Sequence, residues 1–274
     1  LVRSRGLGDV YKRQLYESYS IIRLLENTAP GRNGGGWIDQ GGSSDNLSRW
    51  LDQANATMLA KAKELMLFNF AVLVDSPALP PLGQQFYRID EIVGKCGNPV
   101  GVAAWEPFDA DGEDQLYNYL GQCGLAVEPS PYFNDKAPTV LLTQSSACEP
   151  DAMEKLEKYV RQGGNAVVTV GFVHETYDKG IKDMTSVRLT HRHVLSNEFM
   201  VSNMNYLQME VERSDDPILF EVLDYKTNAT HSDITILAGE DNFPMMTEDN
   251  YGKGRLFILN VPENFADLYK LPKS

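Results

Sequence analysis

Strands and helices alternate between Val100 and Val170, and this alternation constrains the fold more than any other feature of the sequence. Each strand is a short apolar run, and each helix carries its apolar residues at helical intervals. The predicted order is strand 100–105, helix 112–124, strand 139–143, helix 151–162 and strand 166–170. Because such strands are joined by right-handed helical crossovers, the order predicts a doubly wound parallel α/β sheet.

The pattern changes after Gly171, where β-type segments follow one another without helices between them. Branched and aromatic residues are frequent in these segments, and turn residues separate them. The segments are 187–195, 218–225, 234–239 and 255–261. We therefore predict one domain over residues 98–274, in which a β-rich part follows the α/β part.

Residues 15–97 are predicted to form a separate unit with amphipathic helices at 15–27, 47–59 and 82–93. The apolar run Leu65–Val74 is interrupted only by Asn69, which is typical of a parallel strand buried on both faces. The glycines at 34–36 lack the lysine and Ser/Thr of a phosphate-binding loop, so we predict a flexible turn there.

Residues 1–14 (LVRSRGLGDVYKRQ) differ in charge from the rest of the chain. They contain four basic residues and one acidic residue, whereas the whole chain has 25 basic and 38 acidic residues. Asp9–Gln14 back-translates to GAT GTG TAT AAG AGA CAG, which resembles the transposase end sequence used to prepare sequencing libraries. We treat 1–14 as a non-native, adapter-like segment. We expect the remainder to be the C-terminal piece of a longer bacterial protein from a metagenome.

Composition excludes several classes of function. The formal net charge of −13 argues against nucleic acid and anionic membranes as partners, because both require a basic surface. No apolar run reaches the ~20 residues that span a bilayer. Three cysteines, Cys96, Cys123 and Cys148, are too few for a disulfide framework and favour a reducing, cytoplasmic setting. We expect no cofactor.

Five stretches carry a resemblance to a known family. They are Gly97–Ala103 (GNPVGVA), Glu113–Leu120 (EDQLYNYL), Ala137–Thr143 (APTVLLT), Met153–Thr169 (MEKLEKYVRQGGNAVVT) and Tyr251–Leu259 (YGKGRLFIL). The chain resembles β-galactosidases in which a TIM barrel is followed by a glutamine-amidotransferase-like, or trimerisation, domain. The resemblance implies a partial TIM-barrel end in 15–97. It implies a flavodoxin-like, class I glutamine-amidotransferase-like doubly wound domain, with an added β-rich segment, in 98–274.

The same resemblance assigns the site residues. Gly36–Asp39 would be the seventh barrel strand and Leu65–Val74 the eighth, so that Asp39 stands where the family has a catalytic glutamate. Trp37 would offer a stacking surface to a sugar, and Asn69 and Asp75 would contact the substrate. A purely structural interpretation also stands: two loop aspartates, a half-buried tryptophan, and a core asparagine with a hydrogen-bond partner.

Two further sets of residues are weaker candidates. Cys148 follows the second strand of the α/β domain, and His174 could act as its base, although the third strand ends without the cysteine of a working amidotransferase. His191 and His193 would lie on one face of a strand. Because no third ligand is apparent beside them, we predict no metal site.

Three hypotheses follow. The first hypothesis is that the chain is part of a glycoside hydrolase that cleaves a β-linked sugar by acid/base catalysis. Its α/β domain would make contacts in a homo-oligomer. The chain alone would then be inactive. The second is a non-catalytic sugar-binding or oligomerisation module with a degenerate amidotransferase-like domain. The third is an active thiol amidohydrolase, which predicts that Cys148 and a histidine meet in space.

Overall fold

The computed structural model of the chain describes residues 4–39, 46–68, 70–108, 110–113, 116–202 and 209–272. It divides into two compact units. Unit 1 comprises Leu1–Gly101 and Tyr117–Pro131, and unit 2 comprises Val102–Leu116 and Tyr132–Ser274.

Helices and strands occur in both units. The helices are α1 (Ser4–Thr28), α2 (Leu47–Leu59), α3 (Phe70–Leu73), α4 (Leu79–Val93), α5 (Leu116–Gln122), α6 (Ala152–Gln162) and α7 (Val170–Thr176). The strands are β1 (Gly35–Asp39), β2 (Glu64–Phe68), β3 (Val102–Trp105), β4 (Val127–Ser130), β5 (Thr139–Leu142), β6 (Asn165–Thr169), β7 (Arg188–Ser202), β8 (Met209–Asp224), β9 (Thr230–Ala238), β10 (Asp241–Tyr251) and β11 (Gly254–Leu259). Helix α1 includes residues 4–14 of the segment that we treat as non-native. Within the described ranges, no helix combines the length and the apolar character needed to cross a bilayer.

A two-stranded parallel sheet and the helices packed on it form the core of unit 1. Strands β1 and β2 pair from Gly35 opposite Glu64 to Asp39 opposite Phe68. Ile38 on β1 is fully buried in a cluster with residues from the helices and their connections. The other buried members of this cluster are Trp50, Ala54, Leu73, Ala78 and Leu82.

The glycines at the start of β1 are required by close packing. A Cβ atom added at Gly36 would lie 2.7 Å from Thr57 Cγ2 and 2.8 Å from Ile22 Cδ1. A Cβ at Gly35 would lie 2.5 Å from the carbonyl oxygen of Glu64. The prediction of a flexible turn is therefore wrong for Gly35 and Gly36, which belong to a strand.

The apolar run Leu65–Val74 contains more than one element. Strand β2 ends at Phe68, and Phe70–Leu73 is helical. Met66 and Phe68 are 53 % and 42 % exposed, so one face of β2 is open. The prediction of one strand buried on both faces is therefore wrong, because a continuous apolar run does not distinguish a strand from a strand followed by a helical turn. The strand predicted at Gly36–Asp39 is confirmed.

A buried ion pair joins α1 to β4 within unit 1. Arg23 Nε lies 2.9 Å from Glu128 Oε2 and 3.1 Å from Oε1. Tyr19 Oη and Asn27 Nδ2 donate to the same carboxylate at 3.1 Å and 3.2 Å. Burial and the neighbouring Glu128 carboxylate raise the pKa of Tyr19, so its phenol keeps the proton that it donates. The charge of Glu128 is thus matched by a cation and further hydrogen-bond donors.

Unit 2 is built on a mixed sheet. Strands β3, β5, β6 and β11 are parallel neighbours in that order. From β11 the sheet continues through β10, β9, β7 and β8, which are paired antiparallel. The predicted mixed α/β fold is confirmed. Each β-type segment predicted after Gly171 overlaps a strand, while β10 was not predicted.

Helix α6 packs against the parallel strands through its apolar stripe. Leu156 and Val160 are fully buried in a core that also contains Leu142, Phe172 and Ile258. Gly163 ends the helix in the left-handed conformation, with φ +115°, and its N–H bonds back to the last turn. The helix predicted at 112–124 is shorter than expected, since α5 begins only at Leu116.

We predict that Glu128→Gln lowers the free energy of unfolding by about 3 kcal/mol, because the neutral amide leaves the buried Arg23 guanidinium without its counter-charge. Urea unfolding at neutral pH measures this change. The matched control is Glu198→Gln, which removes the partner of Arg213 in an exposed pair with a 2.8 Å separation. The control is expected to cost less than about 1 kcal/mol. Equal losses in the two variants would contradict the prediction.

Candidate functional site

The pleat of β1 and β2 separates a covered face from an open one in unit 1. Ile38 points towards the helices, whereas Trp37, which is 59 % exposed, and Asp39 point to the other side. Trp37 stacks on Phe68, with ring centroids 5.7 Å apart and ring planes at 11°. The open face therefore combines a flat aromatic surface with a carboxylate at the end of β1. Ligand sites are commonly lined in this way, by apolar rings and a few polar groups.

The structure brings together some of the predicted site residues. Trp37 and Asp39 share the open face, and Asp39 is the last residue of β1, opposite Phe68. Asp75 is exposed in the turn between α3 and α4, so it does not directly follow the strand as predicted. Asn69 lies outside the described residues. Asp39 lies at the end of a strand and not in a loop, as the structural interpretation had it, while Trp37 is 59 % exposed.

A second cluster lies at the carboxyl ends of the parallel strands in unit 2. Glu113 Oε2 accepts a hydrogen bond from the main-chain N of Gln144, after β5, at 2.7 Å. The hydroxyl of Thr169, at the end of β6, and the N–H of Gly171 also donate to this carboxylate. Ligands of open α/β sheets bind at this edge. The cluster thus occupies the position where a site is expected in such a fold.

An uncommon backbone conformation at residues 112 and 113 brings Glu113 into this position. Gly112 and Glu113 both have positive φ, +101° and +56°. A Cβ atom at Gly171 would lie 2.4 Å from Glu113 Oε1, so only glycine leaves room for the carboxylate. A non-glycine residue with positive φ is uncommon and persists where its surroundings hold it. Here the contacts of the Glu113 side chain with Gln144, Thr169 and Gly171 hold Glu113 in this conformation.

Burial raises the pKa of the Glu113 carboxyl. The hydrogen bonds from Thr169, Gln144 and Gly171 lower this pKa, as does the charge of His174, but they offset the effect of burial only in part. Carboxyl groups with perturbed pKa values are frequent at functional sites.

This cluster was not predicted from the sequence, for an identifiable reason. The predicted helix 112–124 placed Glu113 within regular structure, whereas the residue belongs to a turn before α5. Gly171, directly after an apolar strand, was the available signal, because a glycine at a strand–helix junction often permits a close approach. From the sequence, this junction was notable only for lacking the cysteine of a working amidotransferase.

The other candidate residues lie elsewhere in unit 2. Cys148 is exposed at the end of the 3-10 turn Gln144–Cys148. The Nε2 atom of His174 lies 2.5 Å from Glu221 Oε2. The prediction that His191 and His193 share one face of a regular strand is wrong, because the β7–β8 register shifts between Leu189 and His193. Among the residues that the structure describes, no three His, Cys, Asp or Glu side chains are grouped so as to hold a metal ion.

His191 itself shows how the strand is interrupted. Its φ is +55°, and its main-chain N donates to Glu221 Oε1 at 3.1 Å. His193 Nε2 instead lies 3.3 Å from Glu263 Oε2. The two histidines therefore contact different carboxylates.

Two family models match parts of the chain. The model described as "Uncharacterized protein SSO3021, second domain" matches residues 97–264, more than half of the chain. The chain belongs to this family. A second model, described as "Probable glycosyl hydrolase, catalytic domain", matches residues 3–94, so this part of the chain is similar to a glycosyl hydrolase catalytic domain. No curated protein matches the sequence.

Solved structures with a similar fold include GH42 β-galactosidases. Gan42B from G. stearothermophilus is 12 % identical, with a TM-score of 0.57 over 95 % of this chain and 45 % of the β-galactosidase. The β-galactosidase from Bacillus circulans sp. alkalophilus is 11 % identical, with a TM-score of 0.60 over 94 % of this chain and 46 % of the other. The chain thus spans about 45 % of the length of these enzymes. At such identities the likeness concerns the fold alone.

We predict that Gly171→Ala lowers the free energy of unfolding by about 1–3 kcal/mol, because the added methyl overlaps the Glu113 carboxylate. In a Glu113→Ala background the same change is expected to be neutral, or stabilising by up to about 1 kcal/mol, since alanine is the better helix former. A double-mutant cycle by urea unfolding measures the coupling. The control is Gly83→Ala in α4, where an added Cβ meets no atom within 4 Å. An equal cost of Gly171→Ala in both backgrounds would refute the assigned contact.

We further predict a pH dependence that comes from Glu113. Its pKa in the folded chain lies above the ordinary value of 4.5, so the folded chain retains a proton where the unfolded chain has lost it. The stability of the wild type relative to Glu113→Gln should be greatest below pH 4.5. It should fall as the pH rises towards the raised pKa and then remain constant. Urea unfolding of both proteins at a series of pH values tests this, and a difference that grows with pH would contradict it.

Proposed function

We propose that this chain forms part of a glycoside hydrolase that cleaves a β-linked sugar, with the open face of β1 and β2 turned towards the substrate. The observation that carries the proposal is the joint exposure of Trp37 and Asp39 on one face, with Asp39 at the carboxyl end of its strand. Active sites of (β/α)8 enzymes lie at the carboxyl ends of the strands. The glycosyl hydrolase model over residues 3–94 supports this assignment.

In the proposed arrangement, β1 and β2 are the last two strands of a (β/α)8 barrel, and α1, α2 and α4 belong to its outer layer. The side of β1 that carries Trp37 would then face the barrel interior. The fold of GH42 β-galactosidases, which this chain resembles over about 45 % of their length, is compatible with that placement. The further strands of such a barrel would cover the apolar surface of Met66 and Phe68, while Trp37 would stay open to the sugar site.

The proposed reaction is acid/base hydrolysis by two carboxyl groups. Retaining glycosidases hold these groups about 5–5.5 Å apart, and one donates a proton while the other attacks the sugar. Asp39 would supply one carboxyl group, and the second would come from a strand outside this chain. Trp37 would stack on the sugar ring, and Asn69 and Asp75 would contribute substrate contacts.

A second candidate function is supported by one specific observation. Asp39 stands where the resemblance implies a glutamate, and its side chain is one methylene shorter. A shorter carboxylate sits farther from a sugar that a glutamate would reach. This favours a sugar-binding module that has lost catalysis.

For unit 2 we propose a degenerate amidotransferase-like scaffold that forms contacts between subunits of a homo-oligomer. The junction of β6 and α7 has Gly171 and no cysteine, and its space is filled by Glu113. Both features favour a scaffold over a thiol enzyme.

The decisive assay measures hydrolysis of 4-nitrophenyl β-D-galactoside by the longer protein that carries this chain and the remaining barrel strands. We predict that Asp39→Asn lowers kcat by about 10²–10⁴-fold, because one of the two carboxyl groups is lost. Trp37→Ala is expected to raise KM about tenfold while changing kcat less, because stacking contributes mainly to binding.

The control variant is Asp52→Asn on α2, where Asp52 accepts a hydrogen bond from Ser48 at 3.2 Å. It should leave both kinetic constants unchanged. Full activity in Asp39→Asn would remove Asp39 from the reaction. Galactoside binding that depends on Trp37, without turnover in any variant, would support the binding module instead.

A further inference from the structure

Close packing requires the two glycines at the start of β1 but not Gly34, which precedes the strand. A Cβ atom added at Gly35 would lie 2.5 Å from Glu64 O, whereas one added at Gly34 would meet no atom within 4 Å. Gly34 is exposed and belongs to no helix or strand. Its sequence neighbour gives it another significance, because Asn33 is the only asparagine in the chain that is followed by glycine.

Residues 33 and 34 lie between a turn and a strand. The turn ends at Arg32, whose main-chain N donates to Ala29 O at 3.1 Å, and the pairing of β1 with β2 begins at Gly35. Asn33 is half-buried and Gly34 is exposed. Glycine also has access to more main-chain conformations than other residues. The dipeptide can therefore change its conformation while both sets of hydrogen bonds stay in place.

An asparagine followed by glycine can lose ammonia without an enzyme. The main-chain nitrogen of Gly34 would attack Cγ of Asn33 and form a new C–N bond, while the side-chain amide takes up a proton and leaves as ammonia. The product is a cyclic succinimide, which water opens at either carbonyl to give aspartate or isoaspartate. In isoaspartate the main chain runs through Cβ and Cγ. Because glycine has no side chain to hinder the attacking nitrogen, it favours this reaction.

We propose that Asn33 is a modification site that is converted spontaneously to isoaspartate, and that this modification weakens the pairing of β1 with β2. Isoaspartate places one more carbon in the main chain directly before Gly35. Strand β1 has little room to shift and absorb this carbon, because even a Cβ atom added at Gly36 would lie 2.7 Å from Thr57 Cγ2. The proposal concerns unit 1 alone and does not depend on the glycosidase proposal.

A turn of unit 2 contains an asparagine that serves as a control. Asn228 lies between β8 and β9 and is exposed, but the residue that follows it is Ala229. The main-chain N of Ala229 donates to Lys226 O at 2.9 Å, so the nitrogen that would attack is already hydrogen-bonded. Exposure alone would make Asn228 at least as reactive as Asn33. The comparison therefore separates the effect of the following residue from the effect of exposure.

The full chain is incubated at mildly alkaline pH and physiological temperature. Isoaspartate is measured by transfer of labelled methyl groups from S-adenosylmethionine with a protein-isoaspartate methyltransferase, and peptide mass mapping locates it. We expect isoaspartate at position 33 and none at position 228. Asn33→Gln should abolish the signal at position 33. Gly34→Ala should reduce it at least severalfold without disturbing the fold, because the added methyl meets open space.

Three outcomes would overturn the proposed modification. They are no isoaspartate at position 33 in the wild type, as much at position 228 as at position 33, and an undiminished rate in Gly34→Ala.

Thermal unfolding of the same samples measures the effect on β1. We expect the Tm of the wild type to fall as its isoaspartate content rises, while Asn33→Gln incubated in parallel keeps its Tm. Fresh Asn33→Asp carries the new charge on a main chain of normal length, so its Tm should stay close to that of the fresh wild type. An unchanged Tm in the modified wild type, or an equal fall in fresh Asn33→Asp, would overturn the proposed effect on β1.

Discussion

The side chains of a β-strand alternate between two faces, and unit 1 depends on this constraint. One face of β1 and β2 supplies Ile38 to the helical core, and the close approach of α1 and α2 on that side excludes any side chain at Gly36. The same alternation leaves Trp37, Met66 and Phe68 on the opposite face. Parallel sheets are normally covered on both faces. The apolar open face therefore points to further structure or a ligand on that side, which is the physical basis of the glycosidase proposal.

Buried carboxylates organise both units, and in each case they are matched by donors. Glu128 meets a guanidinium in unit 1, and Asp249 meets two hydroxyls in unit 2. Glu113 differs because its raised pKa shows that burial outweighs the hydrogen bonds it accepts. Such a group lowers the stability of the folded chain, and other interactions in the fold must offset this loss. Glu113 lies at the carboxyl ends of β5 and β6, the edge at which ligands of open α/β sheets bind.

The sequence was informative where a local pattern determines the structure. Helix α6 follows from its apolar stripe and from Gly163, and β5 and β6 follow from short apolar runs such as Val140–Leu142. The boundary after Phe68 was not predictable, because strand and helix are both compatible with an uninterrupted apolar run.

Tertiary contacts determined the remaining features. The turn at Glu113 depends on donors 31 and 56 residues away, and the irregularity at His191 depends on Glu221 of the neighbouring strand. Of the predicted site, Trp37 and Asp39 could be placed on one face from strand alternation alone. The position of Asp75 could not, because it depends on helix α3.

The glycosidase proposal requires that Trp37 lies on the side of unit 1 that meets a sugar. Trp50 and Trp105 are buried, so Trp37 is the tryptophan of this chain that a soluble quencher reaches. Acrylamide quenching of tryptophan fluorescence in the longer protein, with Trp37→Phe as reference, measures this directly. We expect a β-galactoside to shield Trp37 and to reduce quenching in the wild type but not in Trp37→Phe. Quenching of Trp37 that stays the same at saturating sugar would contradict it.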